Sequence, residues 1–408
     1  MDRVILHCDC NSFFASVETA LNPDYKGVPM AVCGRTEDRH GIVLAKNEIA
    51  KKYGIQTAET VYSAKKKCPN LRICYPHYDE YEKYSRAVNE IYSQYTDLVE
   101  PFGIDESWLD VTASKRVFGS GEEIAEQIRR RVKSEIGITV SIGVSFNKVF
   151  AKLGSDYKKP DAITVISKEN YRDIVFPLPV GDLLFVGRKT TEALTAMGVR
   201  TIGHLAATSR ELLKSRFGKM GDMLYSYANG LDDSQVVASS GEEVKSISNG
   251  FTFKHDLVCR ADCKTGIEFL CDEIGRRLRN KSLKCNTVAL TIKDIYLRSI
   301  QRQRTLKDST DISREISEVA YQILCDEWLE SKPIRMLTVS VSGLIEAEKS
   351  FVQLDLFNDA EEDGYKKSKK REQTMDEIRH KFGNESISTG AIIDSDIGIF
   401  GREKHKTQ

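Results

Sequence analysis

The sequence predicts an α+β protein of several domains, and three observations carry that prediction. Short apolar runs that read as strands mix with amphipathic helical stretches up to about residue 176. A wholly helical region follows the break Phe176-Pro177-Leu178-Pro179 and runs to about residue 232. Mixed α/β patterning then returns from 247 to 345. A chain of 408 residues has room for two to four domains and ample buried core.

In chain order, Val4 to Asp9 reads as a strand, and Asn11 or Ser12 is placed to cap the helix that follows. Val28 to Cys33 and Ile42 to Ala45 are short strands, with Gly34 and Gly41 punctuating the turn between them. Tyr81, Tyr84, Val88, Ile91 and Tyr95 recur at three and four, which predicts an amphipathic helix over 78–96. That tyrosine stripe suits core packing better than base stacking. Strands are expected over 99–111, a helix on Ile124, Ile128 and Val132, and a strand from Thr139 to Val144. Asn147 then caps a helix carrying Lys148 and Lys152. This mixture predicts a sheet with helices on one face.

Within the helical region, Leu183 to Leu205 reads as two short helices around hairpins, with Gly187, Gly198 and Gly203 at turns. Such a unit offers backbone N–H groups to a DNA phosphate. The polar stretch Asp232 to Lys245 reads as a linker. Beyond it, strands are expected at 251–255, 287–293 and 335–343, with helices near 263–280 and 310–330. After Glu346, Gln353-Leu354-Asp355-Leu356-Phe357 is an apolar pentapeptide among charged residues, and a helix is possible at 372–382. A segment that exposes Leu and Phe suits a partner's groove, although a strand packing on its own domain fits equally well.

The formal net charge is zero, from 60 Lys and Arg against 60 Asp and Glu, which by itself argues against nucleic-acid binding. Its distribution argues the other way. Arg276, Arg277, Arg279, Lys281, Lys284, Lys293, Arg298, Arg302, Arg304 and Lys307 share one segment, and Lys148, Lys152, Lys158 and Lys159 another. Local excess of this kind can follow a phosphate backbone, so the first segment reads as a binding surface. No apolar run approaches the roughly 20 residues of a membrane span. The N-terminus reads as a strand, not a signal peptide. Ten scattered cysteines form no CxxC pair, and Cys8-x-Cys10 and Cys259-x3-Cys263 lack matching partners. Zinc is therefore not expected, and a reduced, cytoplasmic protein is.

Asp9, Asp105 and Glu106 carry the chemistry. An Asp at the end of a buried strand, with an acidic pair on a second strand or turn, is what a divalent metal site on a sheet needs. A pair of hard cations can clamp both the attacking and the leaving oxygen of a phosphoryl transfer. Neighbours on a regular strand point to opposite faces, so Asp105 and Glu106 share a site only if a turn or bulge intervenes, and Gly103 is well placed for one. Asp110 is expected to make a structural hydrogen bond. Phe13-Phe14 follows Asp9 closely, so one ring could exclude a 2′-hydroxyl by bulk. Lys159, before Pro160, could act as a point charge on phosphate.

Taken together these stretches resemble the Y family of translesion DNA polymerases, most like its bacterial DinB or DNA polymerase IV branch. The resemblance runs from Val4 to Phe357 and is carried by Asp9 to Glu18, by Ile104 to Asp110, and by Ser141 to Ser145 with Asn147-Lys148, Ala151-Lys152, Ser155-Asp156 and Lys159-Pro160. It implies a ferredoxin-like palm over 1–176 with small fingers inserted at about 19–77. It further implies a helix-hairpin-helix thumb over 177–232, a linker over 233–246, an α/β little finger over 247–347 and a tail from 348. Asp9, Asp105 and Glu106 would then be catalytic and hold two Mg²⁺ ions, with the Cys10 carbonyl as a further ligand.

The resemblance also places Phe13, Phe14, Lys51 and Lys159 at the nucleotide, with Phe14 as steric gate. Gln353, Leu354, Asp355, Leu356 and Phe357 would dock on a bacterial sliding clamp. The implied activity is DNA-directed nucleotidyl transfer from dNTPs to a primer end, with low fidelity and no proofreading exonuclease, by a monomer without membrane contact. Two departures stand out. Glu48 and Lys51 replace a usual Tyr and Arg, so Glu48 is expected to turn away and Lys46 or Lys51 to meet the triphosphate. Phe185 stands where the family commonly has Gly. The alternatives are a UmuC-like branch member, an inactive clamp- and DNA-binding accessory subunit, and a nucleotide cyclase on a similar palm. All three carboxylates are present, against the accessory subunit. A cyclase would need neither the thumb stretch nor the clamp-like peptide.

Overall fold

The computed structural model describes residues 3–35, 41–238, 244–328, 332–349, 359–393 and 395–399. They form two compact units, one built from residues 3–34 and 42–238, the other mainly from 244–399. No described helix is long and apolar enough to cross a membrane.

The first unit opens with β1 (Ile5–Cys10), α1 (Phe13–Leu21), β2 (Met30–Cys33), β3 (Val43–Lys46), α2 (Glu48–Lys52), α3 (Val61–Lys67), β4 (Arg72–Cys74) and α4 (Tyr78–Ser93). It continues with β5 (Val99–Pro101), β6 (Glu106–Asp110), α5 (Lys115–Phe118), α6 (Gly121–Arg131), β7 (Val140–Ser145), α7 (Lys148–Tyr157), β8 (Ile163–Ile166) and α8 (Tyr171–Val175). Four helices complete it: α9 (Arg188–Ala196), α10 (Ile202–Ala207), α11 (Arg210–Phe217) and α12 (Lys219–Ala228).

A five-stranded sheet runs in the order β5-β6-β1-β7-β8, antiparallel except for β7 beside β8. Strand β1 lies at its centre, and its two faces do different work. Leu6, Cys8 and Cys10 join Tyr81, Val88, Ile91 and Tyr92 of α4 and Ile124 and Ile128 of α6 in one core. The expected tyrosine stripe is thus packing, with Tyr81 and Tyr92 almost fully buried. Ile5, His7 and Asp9 point the other way, where Ile5 meets Trp108 and Ala151 of α7.

Helices therefore cover both faces of the sheet, a correction to the single helical face that the sequence suggested. The reason is Gly143 on β7. A Cβ there would lie 1.8 Å from the Ala151 carbonyl oxygen and 2.5 Å from the Ser155 nitrogen. Only glycine lets α7 approach so closely, and that approach carries Lys152 and Ser155 onto the face that holds His7 and Asp9.

A three-stranded sheet in the order β3-β2-β4 encloses its own small core with α2 and α3. Helices α9 to α12 pack around Leu194, Ile202, Leu205, Leu213 and Leu224, and Val149, Phe150 and Leu153 of α7 join the same core. The helices α9 to α12 thus share buried surface with α7, which is why they belong to the same unit as the five-stranded sheet. Three local readings change. Gly203 lies within α10 against Phe176, not at a turn. Neither Asn11 nor Ser12 caps α1 with its side chain. The stretch read as a linker is anchored at its start: Asp232 accepts from the Lys148 N–H at 3.2 Å, Val237 N–H donates to Glu100 at 2.8 Å, and Val236 is buried beside Ile5 and Trp108.

The second unit contains β9 (Ser246–Leu257), α13 (Arg260–Asn280), β10 (Leu283–Asp294), β11 (Ser299–Thr310), α14 (Ser313–Glu327), β12 (Ile334–Glu346), α15 (Asp359–Phe382) and α16 (Gly390–Ile393). Its antiparallel sheet runs β11-β10-β12-β9, and α13 and α14 pack on one face through Ile267, Leu270, Ile274, Ile316, Ala320 and Ile323. Strand β11 went unread because it is a charged edge strand without a buried alternation. The possible helix at 372–382 begins at Asp359 and docks on its own unit. Arg279 pairs with Glu372 and, at 2.6 Å, with Asp376, while Arg379 reaches Asp272 at 2.8 Å. Glu372 also accepts the first N–H of α14 and the Ser313 hydroxyl. The pentapeptide Gln353 to Phe357 lies outside the described residues.

Gly143→Ala should cost about 2–3 kcal/mol of stability, as overpacking against backbone does. Gly154→Ala, whose nearest neighbour would stand at 3.0 Å, should cost less. Urea unfolding of the two variants checks this, and equal losses contradict the close-approach account.

Candidate active site

Strand pairing brings the backbones of Asp9, Asp105 and Glu106 to the paired ends of β1 and β6. Asp9, at the end of β1, lies directly opposite Glu106 at the start of β6. The Cys10 N–H donates to the Asp105 carbonyl at 3.0 Å, which ties the following residue to the same place. Asp105 itself stands in the tight turn before β6, where the Phe102 N–H donates to the Glu106 carbonyl at 2.9 Å. Because that turn interrupts the strand, adjacent residues escape the alternation that would send them to opposite faces. Gly103 sits within it, as expected, and Asp110 accepts from the Thr112 N–H at 3.0 Å, the structural role expected of it.

Two ammonium groups from one segment meet this cluster. Lys159 Nζ lies 2.6 Å from Asp9 Oδ2 and 2.7 Å from Asp156, and Lys152 Nζ bonds Glu106. His7, two residues before Asp9 on the same strand face, places Nε2 3.2 Å from Glu106 and Nδ1 2.8 Å from the Ser155 hydroxyl. Burial lowers the His7 pKa to about 4, so the contact with Glu106 is polar rather than an ion pair. Burial raises Asp9 to about 6 despite Lys159. Asp105 is also raised, first by burial and then by Glu106. Burial would raise Glu106 too, but His7 and Lys152 outweigh it and hold that carboxyl at about 2.

The donor set suits a hard cation. Asp9, Asp105 and Glu106 supply oxygen, and the Cys10 side chain belongs to the core on the opposite face. Four carboxylates, counting Asp156, face two ammonium groups, so the locality carries excess negative charge that a divalent ion would relieve. Asn11 fixes the frame: its amide donates to Ser141 at 2.8 Å, and its oxygen accepts from Thr139 at 3.0 Å and from the Asp161 N–H at 2.8 Å. With that oxygen so engaged, it does not cap α1.

The remaining residues divide. Phe13 is buried in the core, whereas Phe14 is half-buried and stacks on Tyr81. Lys51 is exposed on α2, 3.7 Å from Glu48, and Lys46 donates to Thr57 at 3.1 Å. Glu48 accepts from the Ser12 hydroxyl, at the start of α1, at 3.1 Å. Phe185 keeps a left-handed backbone, φ 67°, the conformation that the usual glycine would adopt without strain. The basic segment does not present its arginines freely. Arg276 and Arg277 pair with Glu273, Arg298 with Asp294, Arg302 with Glu327 and Arg304 with Asp326. The sequence alone assigns no role to His7, Ser155 or Asp156. The signal for His7 was a polar residue two positions before Asp9 in an otherwise apolar strand.

Comparison with known proteins matches most of the chain. Residues 8–156 match the impB/mucB/samB family, residues 244–356 match that family's C-terminal domain, and residues 181–232 match the thumb domain described for DNA polymerase-iota. DNA polymerase IV of Acetivibrio thermocellus is 46% identical over 96% of this chain and 98% of its own length. DNA polymerase IV 1 of Bacillus subtilis is 36% identical over 96% of this chain and 93% of its own. Among solved structures, a Y-family DNA polymerase chimera, Dbh-Dpo4(243-245)-Dbh, shares the fold with a TM-score of 0.74 at 22% identity, covering 84% of this chain and 99% of that one.

The raised Asp9 pKa has a sign that can be tested. Between its ordinary value of 3.8 and about 6 the unfolded chain ionises first, so the metal-free protein loses stability as pH rises through that window. Asp9→Asn should remove the loss, making the metal-free variant more stable than wild type by on the order of 1–3 kcal/mol at about pH 8, with no gain at about pH 4. Denaturant unfolding with a chelator present measures this. No gain at the higher pH contradicts the account.

Proposed function

We propose a mechanism from the premise that this chain belongs to the impB/mucB/samB family of Y-family DNA polymerases and is, with its relatives, a DNA-directed DNA polymerase. The reaction is two-metal nucleotidyl transfer from a dNTP to a primer 3′-hydroxyl, and its role is low-fidelity copying of damaged template without a proofreading exonuclease. The observation that supports it most is the meeting of Asp9, Asp105 and Glu106 at the paired ends of β1 and β6.

In this mechanism Asp9, Asp105, Glu106 and the Cys10 carbonyl would hold two Mg²⁺ ions, which would supply Lewis-acid activation of the primer hydroxyl and offset negative charge on the phosphates. Lys159, already beside Asp9, turns to the triphosphate, while Lys152 and His7 keep Glu106 ionised and oriented. Lys51, exposed on α2 beside Glu48, meets the outer phosphates, with Ser12 bonded to that same glutamate. Phe14 acts as the steric gate against ribonucleotides, and Phe13 supports it from the core.

Primer-template DNA is held by the thumb helices and the second unit. The sheet face of that unit away from α13 and α14 carries Thr287, Thr291, Gln301, Gln303, Thr338 and Ser340, neutral hydrogen-bonding side chains suited to a phosphate backbone. The small β3-β2-β4 subdomain, residues 30–74, would check base-pair geometry only weakly and so admit distorted templates. Gln353 to Phe357 is the peptide for a bacterial sliding clamp, and the enzyme works as a cytoplasmic monomer.

Asp105→Ala should lower primer extension by roughly a thousandfold or more, since metal-borne stabilisation of the transition state is worth several kcal/mol, while DNA affinity changes little. Single-turnover extension with a DNA-binding titration checks both, and near-normal extension overturns the mechanism. Replacing Leu356 and Phe357 together by Ala should weaken clamp binding about tenfold or more and leave unassisted extension as it was, which clamp titration reads directly.

A further inference from the structure

Phe14 does not set its own position. Its ring lies on that of Tyr81, with centroids 4.2 Å apart and planes 11° from parallel. Tyr78 meets both edge-on, 6.1 Å from Phe14 and 5.8 Å from Tyr81. Tyr81 is fully buried, so its ring is the floor on which the half-buried Phe14 rests.

The far end of Tyr81 is held by a single polar contact, a hydroxyl that donates to Glu18 Oε1 at 2.5 Å. Glu18 lies four residues beyond Phe14 on α1, hence on the same side of that helix. It is only 2% exposed, and a carboxylate so buried requires donors. It has them: the Tyr81 hydroxyl, the His77 main-chain N–H at 3.3 Å and the His77 ring at 3.0 Å. His77 is the N-cap residue of α4 and makes no side-chain cap of its own, so Glu18 sits at the positive end of that helix. None of these partners belongs to the carboxylate cluster. Glu18 thus ties α1 to the first turn of α4 and clamps Tyr81 between itself and Phe14.

We propose that Glu18 and Tyr81 are positioning residues for sugar selection: their hydrogen bond fixes the Tyr81 ring, and through it the height and tilt of Phe14 against the 2′ position of an incoming nucleotide. The inference rests on the reading of Phe14 as the steric gate. A displacement on the order of 1 Å is enough to change outcomes at a reacting centre, and loss of the clamp frees the ring for a movement of that scale.

The test is single-nucleotide insertion of dCTP and rCTP opposite a template G by the full chain, read as the ratio of their kcat/KM values. Tyr81→Phe keeps the ring, its burial and the stack, and removes only the hydroxyl. It should lower discrimination against rCTP roughly five- to tenfold, the scale on which one intramolecular hydrogen bond acts. Glu18→Ala should lower it similarly, and Glu18→Gln, whose amide oxygen still accepts from the hydroxyl, should restore it. A purely structural role would shift thermal stability or slow both nucleotides alike, and would leave the ratio alone. Phe14→Ala runs beside them. A wild-type ratio in Tyr81→Phe together with a lowered ratio in Phe14→Ala refutes the clamp and leaves the gate standing. An unchanged ratio in Phe14→Ala refutes the gate and the clamp together.

Discussion

Crowded negative charge at one end of a buried strand is the constraint on which this molecule is built. Asp9, Asp105, Glu106 and Asp156 share one neighbourhood, and among the described residues Lys152 and Lys159 pair with three of them directly. Burying carboxylates without full compensation is unfavourable, and the raised pKa values of Asp9 and Asp105 register that. A folded state that tolerates it must draw stability from elsewhere. The large cores on either side of the sheet supply that stability, and the site supplies the chemistry.

Backbone packing delivers the counter-charges. Lys152 and Ser155 reach Glu106 and His7 because α7 lies against β7 with no side chain between them at Gly143. The same helix offers Val149, Phe150 and Leu153 to the core of the thumb helices. One ten-residue helix therefore joins the carboxylate cluster on one side to the core of α9 to α12 on the other.

Much of this was legible in the sequence. The carboxylates stood at strand ends, and strand ends are marked by alternation and by Gly103. The helix at 78–96, the Asn147 cap and the α+β class followed from periodicity and capping chemistry. What stayed hidden were partners far apart along the chain. Nothing near Glu18 announces His77 and Tyr81, and nothing near Arg302 or Arg304 announces the acidic residues of α14 that neutralise them. Basic content alone suggested an open cationic surface, whereas several of those arginines pair with acidic neighbours at the surface and the open sheet face carries hydroxyl and amide groups beside Lys293. Strand β11 was missed for the same reason, since an exposed edge strand lacks the buried face on which alternation depends.

The central claim is that three acidic side chains converge in order to share divalent cations. Anomalous diffraction from crystals of the chain with primer-template DNA, a non-reactive dNTP analogue and Mn²⁺ tests it most directly. The account predicts two anomalous peaks, both coordinated by Asp9 and at least one by Asp105 and Glu106. Peaks confined to the analogue's phosphates, with no ion coordinated by Asp9, would contradict it.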